Sequence, residues 1–145
     1  MKYETTRFGQ IEVNEKDIIT IPRGPLGFHD ETRFTLIEEK RAEPFKILQS
    51  LSNPSLAFVV VDPLIFRKDY YFELSIENIN IVNAISVEDL TVLVIVMMAN
   101  DIKDITANLQ APIVLNHTKN VAHQCMLGFS KYTTREHFLM ENKNV

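Results

Sequence analysis

An uninterrupted apolar segment in the middle of the chain places the strongest constraint on its fold. Residues 56–61 include three valines and are bracketed by Pro54 and Pro63. Prolines this close together exclude a helix of ordinary length, whereas valine-rich runs without polar residues are typical of strands that are buried on both faces. We therefore predict a central β-strand that ends at Asp62, because the residue before a proline favours extended geometry.

The N-terminal residues predict short strands that are interrupted by turns. Residues 3–8 are β-prone, and we expect the strand to continue over 11–13 beyond a bend or bulge at Gly9. The next apolar segment, 18–21, follows the polar turn 14–17, so we expect it to pair with 11–13 as a hairpin.

The loop over 22–28 has too many prolines and glycines for a regular ladder. We expect Leu26 and Phe28 to anchor it in the core. Residues 45–51 fit either a strand or a short helical turn, since their apolar residues recur at spacings of three. Further β-prone segments lie between clusters of turn residues, at 34–38, 70–74, 91–98, 111–116 and 120–126.

A short helix is the preferred interpretation of 76–82, with Ser75 as its N-cap and Ile76, Ile79 and Val82 on one face. The alternation through Ile79 and Ile81 fits a strand nearly as well. About eight short strands, one or two short helices and no βαβ alternation predict an all-β, mainly antiparallel fold. We expect a compact small β-barrel or sandwich.

One domain is expected over 1–145, since chains of this length bury enough surface for a single core. Phe129 and Tyr132 should dock the C-terminal segment, and residues 136–145 are predicted to form a flexible tail.

Composition narrows the classes of partner and the cellular compartment. The net charge is −4, which argues against direct binding of nucleic acid, since backbone phosphates select a surplus of Lys and Arg. The single cysteine, Cys125, allows no internal disulfide. The N-terminus has no apolar signal-peptide core, and the longest apolar run, 92–99, is too short to span a membrane. We therefore expect a cytosolic protein without a membrane partner.

No catalytic signature is present in the sequence. It contains no His-Glu-x-x-His, Cys-x-x-Cys, Gly-x-Ser-x-Gly or phosphate-binding glycine loop. The best metal candidate is the set His117, His123 and Cys125, but structural zinc sites normally have four ligands, so a strand with a polar histidine and a buried thiol is favoured. Asp62 could be a catalytic carboxylate, but a turn cap is the favoured interpretation. We therefore expect neither catalysis nor a cofactor.

Several motifs, spread along the chain in a fixed order, carry a family resemblance. They are Ile21-Pro22-x-Gly24-x-x-Gly27-Phe28, Phe45-x-x-Leu48-Gln49-Ser50-Leu51, Pro54-x-x-Ala57-Phe58-Val59-Val60-Val61-Asp62-Pro63, Thr106-Ala107-Asn108-Leu109-x-Ala111-Pro112-Ile113-Val114-Leu115-Asn116 and Tyr132-x-Thr134-Arg135. Over about 8–135 this combination resembles the FliW flagellar assembly factor family. Pro25, Leu26 and His29 depart from the family's usual pattern in the first loop.

The resemblance implies a single FliW-like domain in a cytoplasmic, non-catalytic protein. Such a protein binds flagellin and, when flagellin is scarce, the RNA-binding translational regulator CsrA. Capture of CsrA relieves repression of flagellin synthesis, which couples synthesis to the flagellin level. The resemblance favours antagonism away from CsrA's RNA contact surface, whereas charge alone also allows RNA mimicry. Two alternatives stay open: a dedicated cytoplasmic flagellin chaperone without a regulatory role, and a small metal-dependent enzyme.

Exposure and charge suggest where partners bind. Gly24, Gly27, Gln49 and Asp62 match family positions, but ordinary structural roles of glycine and buried polar groups explain them. Methionines adapt to irregular partner surfaces, although Met97 and Met98 taken singly favour core packing. We predict that the partner-binding residues lie on the acidic turn after the second apolar strand and on the segment that follows: Met98, Asn100, Asp101, Asp104, Asn108 and Gln110.

Overall fold

Strands make up most of the regular structure. The computed structural model describes residues 1–128 and 130–138, and these form eleven strands and one α-helix. In chain order they are β1 (Lys2–Thr5), β2 (Gly9–Glu12), β3 (Ile19–Thr20), β4 (Arg33–Glu38), β5 (Lys46–Ser50), β6 (Ala57–Val61), α1 (Ile76–Ile81), β7 (Leu90–Met97), β8 (Thr106–Ala107), β9 (Ile113–Asn116), β10 (Val121–Gln124) and β11 (Glu136–His137).

Seven of these strands close into a barrel. Their order is β7, β6, β5, β4, β3, β10 and β9, and β9 pairs with β7 to complete the ring. Every pairing is antiparallel except β3 with β10, where Thr20 lies beside Val121. The predicted small, mainly antiparallel β-barrel is therefore confirmed. The ladder that closes the ring is antiparallel and includes the pair Val92 and Val114.

The central strands β6 and β7 are apolar on both faces because each face meets a separate hydrophobic cluster. Val60 and Leu93 point into the barrel, where they pack with Phe34 and Ile113. The alternate residues, such as Val61 and Val94, point outward into a second cluster. A strand between two apolar layers has no solvent-facing side, so its sequence lacks polar alternation. The prediction of a central strand at 56–61 is confirmed.

The outer cluster is covered by chain segments that cross the barrel wall. Tyr70 is buried there, its ring lies 4.6 Å from that of Tyr132, and its hydroxyl donates a 2.7 Å hydrogen bond to the carbonyl oxygen of Leu109. Burial, reinforced by Tyr132 and Cys125, raises the pKa of Tyr70 above its usual range. This layer therefore ties three segments distant in sequence to the barrel.

The first β-structure differs from the prediction. β1 and β2 pair with each other as a hairpin, so the expected continuous strand with a bend or bulge at Gly9 is wrong, as is the hairpin between 11–13 and 18–21. The Thr5 hydroxyl accepts a hydrogen bond from the Phe8 N–H and donates one to the Gly9 carbonyl, which closes a turn before Gly9. β3 pairs instead with β4 and β10.

The loop over 22–28 is anchored differently from the expectation. Leu26 and Phe28 are both exposed, although the Phe28 ring meets that of Phe58 edge-on at 5.6 Å. Pro25 is fully buried instead. Gly24 allows this path, because its φ is +68° and a Cβ there would lie 2.1 Å from the Phe28 carbonyl oxygen. Close backbone packing, not the two large side chains, fixes the loop.

The segments whose type was ambiguous are now defined. Residues 45–51 contain the strand β5, and α1 starts after Ser75, whose hydroxyl accepts a 3.1 Å hydrogen bond from the Asn78 N–H. The helix interpretation of 76–82 is therefore confirmed, but Ile76 is exposed and does not share the buried face of Val82.

Residues 70–74 were expected to form a strand and do not. Their burial alternates as predicted, with Tyr70 buried and Tyr71 exposed. The Tyr71 N–H, however, donates to the Tyr132 hydroxyl at 3.0 Å instead of to a neighbouring strand. The segment is therefore held by its side chains and not by a ladder.

The flexible tail was predicted to start at residue 136, but residues 136–138 are packed against the barrel. Glu136 and His137 form β11 against β8, and the Phe138 ring packs 4.8 Å from that of Phe66. Arg67 also reaches this segment, since its guanidinium donates to the His137 carbonyl at 2.9 Å. Tyr132 docks the segment as expected, whereas Phe129 and 139–145 lie outside the described residues.

Candidate partner-binding surface

Four of the six predicted contact residues lie on one exposed turn. The chain leaves β7 at Met97 and passes through a 3₁₀ turn at Ile102–Asp104 before β8. Met98, Asn100, Asp101 and Asp104 are all exposed. The 3₁₀ turn begins at Asp101, whose carboxylate accepts a 3.1 Å hydrogen bond from the Lys103 N–H. We call residues 97–104 the β7–β8 turn.

The β7–β8 turn also exposes three large apolar side chains. Met97 is 68% exposed, Ile102 54% and Met98 46%. The core packing favoured for Met97 and Met98 is therefore wrong. Met97 pairs with Thr106 at the end of the ladder between β7 and β8, where its side chain is exposed. Isolated apolar residues are common on surfaces, but three within six positions give this turn more apolar area than a single exposed residue would.

The charge of the β7–β8 turn is acidic but partly balanced. The Lys103 ammonium lies 3.7 Å from the Asp101 carboxylate, and both side chains are exposed. Such a pair is screened by water and adds little rigidity. Asp104 forms no salt bridge within the described part of the chain. The turn therefore offers a partner one unpaired carboxylate and one exchangeable ion pair beside apolar surface.

The other two predicted residues have structural roles. Asn108 is half-buried, and its side-chain oxygen accepts hydrogen bonds from the Gln110 N–H at 3.1 Å and the Ala111 N–H at 3.0 Å. The Gln110 amide donates to the Leu127 carbonyl at 3.3 Å. These bonds fix the chain between β8 and β9, so neither side chain joins the exposed turn.

The candidate metal ligands do not converge. His117 is exposed and its ring contacts the Glu88 carbonyl, whereas His123 pairs with Val114 across the β9–β10 hairpin. Cys125 is buried, and burial raises the pKa of its thiol to about 11, so it keeps its proton at neutral pH. Within 1–128 and 130–138, no three His, Cys, Asp or Glu side chains form a group suited to a metal ion.

The remaining residues of the family motifs serve the architecture. Gln49 is fully buried, and its amide donates to the carbonyls of Ser50 and Leu56 at 3.0 and 3.2 Å. Asp62 caps the turn after β6 by accepting a 2.9 Å hydrogen bond from the Leu64 N–H. This confirms the interpretation of Asp62 as a turn cap. In the described ranges, no helix combines the length and the apolar character that a membrane crossing requires.

The fold and this surface define a small, closed β-barrel protein that presents an apolar, acidic turn outside its core. The chain belongs to the FliW family: the family described as FliW protein matches residues 2–138. A flagellar assembly factor FliW from Caldanaerobacter subterraneus subsp. tengcongensis is 41% identical over 99% of this chain and 97% of its own length. A flagellar assembly factor FliW from Geobacter sulfurreducens is 44% identical over 95% of this chain and 86% of its own length.

A solved structure has the same fold. The crystal structure of a flagellar assembly factor FliW matches with a TM-score of 0.92 and 35% identity, over 97% of this chain and 99% of that one. The resemblance found in the sequence motifs is thereby confirmed, and the chain is a member of the FliW family of flagellar assembly factors.

Proposed function

We propose that this protein is a cytoplasmic, non-catalytic binding protein that couples flagellin synthesis to the flagellin level. It binds flagellin, and when flagellin is scarce it binds the translational regulator CsrA and relieves repression. Membership of the FliW family is the observation that carries this proposal. An acidic chain with a net charge of −4 is also suited to antagonise an RNA-binding protein, whose own surface must be basic.

The β7–β8 turn is the proposed CsrA contact surface. Met97, Met98 and Ile102 supply apolar area that a partner can bury, and methionine side chains adjust to irregular surfaces at little cost. Asp101 and Asp104 add the charge that steers a basic partner. Their position on a short turn that is fixed at both ends by β7 and β8 limits the ordering cost on binding.

Charge reversal tests this assignment. Asp101→Lys combined with Asp104→Lys should weaken CsrA binding about tenfold, because two attractive contacts become repulsive. Both side chains are exposed, but Asp101→Lys also removes the hydrogen bond from the Lys103 N–H that stabilises the start of the 3₁₀ turn. Isothermal titration calorimetry measures the affinity, and thermal unfolding checks the fold. The matched control is Glu39→Lys with Glu43→Lys, which makes the same charge change on exposed residues elsewhere.

Equal affinities for the two double variants would refute the β7–β8 turn as the CsrA site. The dedicated chaperone function is distinguished separately, by whether purified CsrA co-elutes with the unmodified protein. Binding of flagellin without any CsrA co-elution would favour the chaperone.

A further inference from the structure

β7 extends beyond the end of its neighbour β6, which leaves part of its edge open. The last residue pair between them is Val61 with Val94, but β7 begins at Leu90. β6 stops there because Asp62 and Pro63 start a 3₁₀ turn that carries the chain away. Residues 90–92 therefore have β9 on one side and, among residues 1–128 and 130–138, no strand on the other.

The hydrogen-bond pattern shows which backbone groups face the open side. The carbonyls of Asp89 and Ile95 accept hydrogen bonds from the β8–β9 side, from His117 N–H at 3.0 Å and Asn108 N–H at 2.9 Å. Backbone groups alternate in direction along a strand, so those of Val92 point to the other side. Within the described residues, the ladder between β6 and β7 ends at Val94 and does not reach Val92. Among these residues, the N–H and the C=O of Val92 also form no backbone hydrogen bond with a loop or turn.

An apolar groove of about 470 Å³ lies along this open edge. Its lining includes Pro63, Leu64, Phe72 and Val92. The mouth of the groove is formed by exposed apolar side chains: Leu64 is 51% exposed, Tyr71 69% and Val87 80%. An added strand is recognised by two features, which are unpaired backbone groups along an edge and an apolar concave surface beside them. Both are present here.

The charge at the groove is acidic. Asp62 is the charged side chain in its lining, and Glu73 lines the adjoining groove between 71–74 and 84–87. Among the described residues, neither lining contains a lysine or an arginine. Pairing with the same edge of a second copy would bring two acidic grooves together. A basic segment from a different protein is therefore the complementary occupant.

We propose that the open edge of β7 binds an extended, basic peptide segment of a partner protein by strand addition. The segment occupies the position that β6 leaves at Pro63 and exchanges hydrogen bonds with the backbone of Val92. Its apolar side chains fill the groove at alternate positions, and a Lys or Arg lies near Asp62. This site is separate from the β7–β8 turn and does not depend on the function proposed for that turn.

A defined peptide tests the mode of binding. The probe is an acetylated and amidated hexapeptide of alternating lysine and valine, titrated into the ¹⁵N-labelled full chain. We expect the Val92 amide to shift and to become protected from hydrogen exchange. The same peptide N-methylated at every amide cannot form a ladder and should not bind, and a glutamate–valine version should bind at least fivefold more weakly.

Protein variants test the location. Leu64→Lys places a cation in the groove and should lower the affinity for the probe peptide at least fivefold. The control, Met126→Lys, introduces lysine at a similarly exposed residue outside the groove and should leave the affinity within twofold. Thermal unfolding checks that both variants fold. The proposal is overturned if the N-methylated peptide binds equally, if the perturbed amides lie away from 90–92, or if the free protein dimerises through this edge.

Discussion

Two glycines in the loop before β4 allow a quantitative prediction of how alanine substitutions change the free energy of unfolding. Gly24 and Gly27 both have positive φ, +68° and +86°, but their surroundings differ. A Cβ at Gly24 would lie 2.1 Å from the Phe28 carbonyl oxygen and 2.7 Å from the His29 Cα. A Cβ at Gly27 would meet no described residue within 4 Å other than its own chain neighbours. Alanine at the two positions therefore separates backbone conformation from steric overlap.

Both substitutions require an L-residue in the left-handed region, which costs about 1–2 kcal/mol. Gly24→Ala adds an overlap with backbone atoms that cannot move aside like a side chain, and overpacking costs a further ~1–3 kcal/mol. We thus expect Gly27→Ala to lower the free energy of unfolding by about 1–2 kcal/mol and Gly24→Ala by about 2–5 kcal/mol.

Urea denaturation followed by circular dichroism measures this difference. At an m-value of about 2 kcal/mol per molar urea, the unfolding midpoint of Gly24→Ala should lie about 0.5–1.5 M below that of Gly27→Ala, with unchanged m-values. Equal midpoints would refute the reasoning, because they would show that the backbone at Gly24 relaxes away from Phe28 without cost.

Two further predictions concern the outer layer and the half-buried His123. Leu109→Ala should lower the free energy of unfolding by about 2–5 kcal/mol, since Leu109 is fully buried, whereas the exposed Ile85→Ala should stay within about 0.5 kcal/mol in the same denaturation assay. Burial and the charge of Arg23 lower the pKa of His123 against the opposing effect of Glu77, so the unfolded chain binds this proton more readily. The stability is therefore complete above about pH 6.5 and falls as the pH drops towards the lowered pKa. His123→Gln should show a smaller loss of unfolding free energy between about pH 7.5 and about pH 5.5, and an unchanged loss would contradict this.

Local sequence signals predicted the elements whose physical cause is local. The apolar run of β6 required burial on both faces, and the barrel and outer clusters provide it. Ser75 was identified as an N-cap because its hydroxyl can satisfy a free N–H at the start of a helix, and it does so at Asn78. The same reasoning identified Asp62 as a turn cap.

Errors arose where distant residues decide the structure. The parallel pairing of Thr20 with Val121 joins β3 to β10 between residues about a hundred positions apart, and no local pattern encodes it. Residues 70–74 have the alternating burial of a strand, but the Tyr71 N–H donates its hydrogen bond to the Tyr132 hydroxyl and not to a neighbouring strand. An alternating pattern reports which face is buried and not what covers it.

The exposure of the β7–β8 turn was predicted in part for the same reason. Acidic residues in a turn are exposed almost regardless of fold, so Asp101 and Asp104 were placed correctly. Met97 and Met98 favour burial in general, and only the end of the β7 ladder leaves them exposed. Asn108 has the side chain of a turn-former, which could have indicated its structural role.

The central proposal is a switch between two partners, and a competition experiment tests it most directly. The protein is first saturated with purified CsrA, and flagellin is then titrated while the bound CsrA is measured by size-exclusion chromatography. The proposal predicts that CsrA is released in proportion to the added flagellin. Full retention of CsrA at saturating flagellin, in a complex of all three proteins, would contradict it.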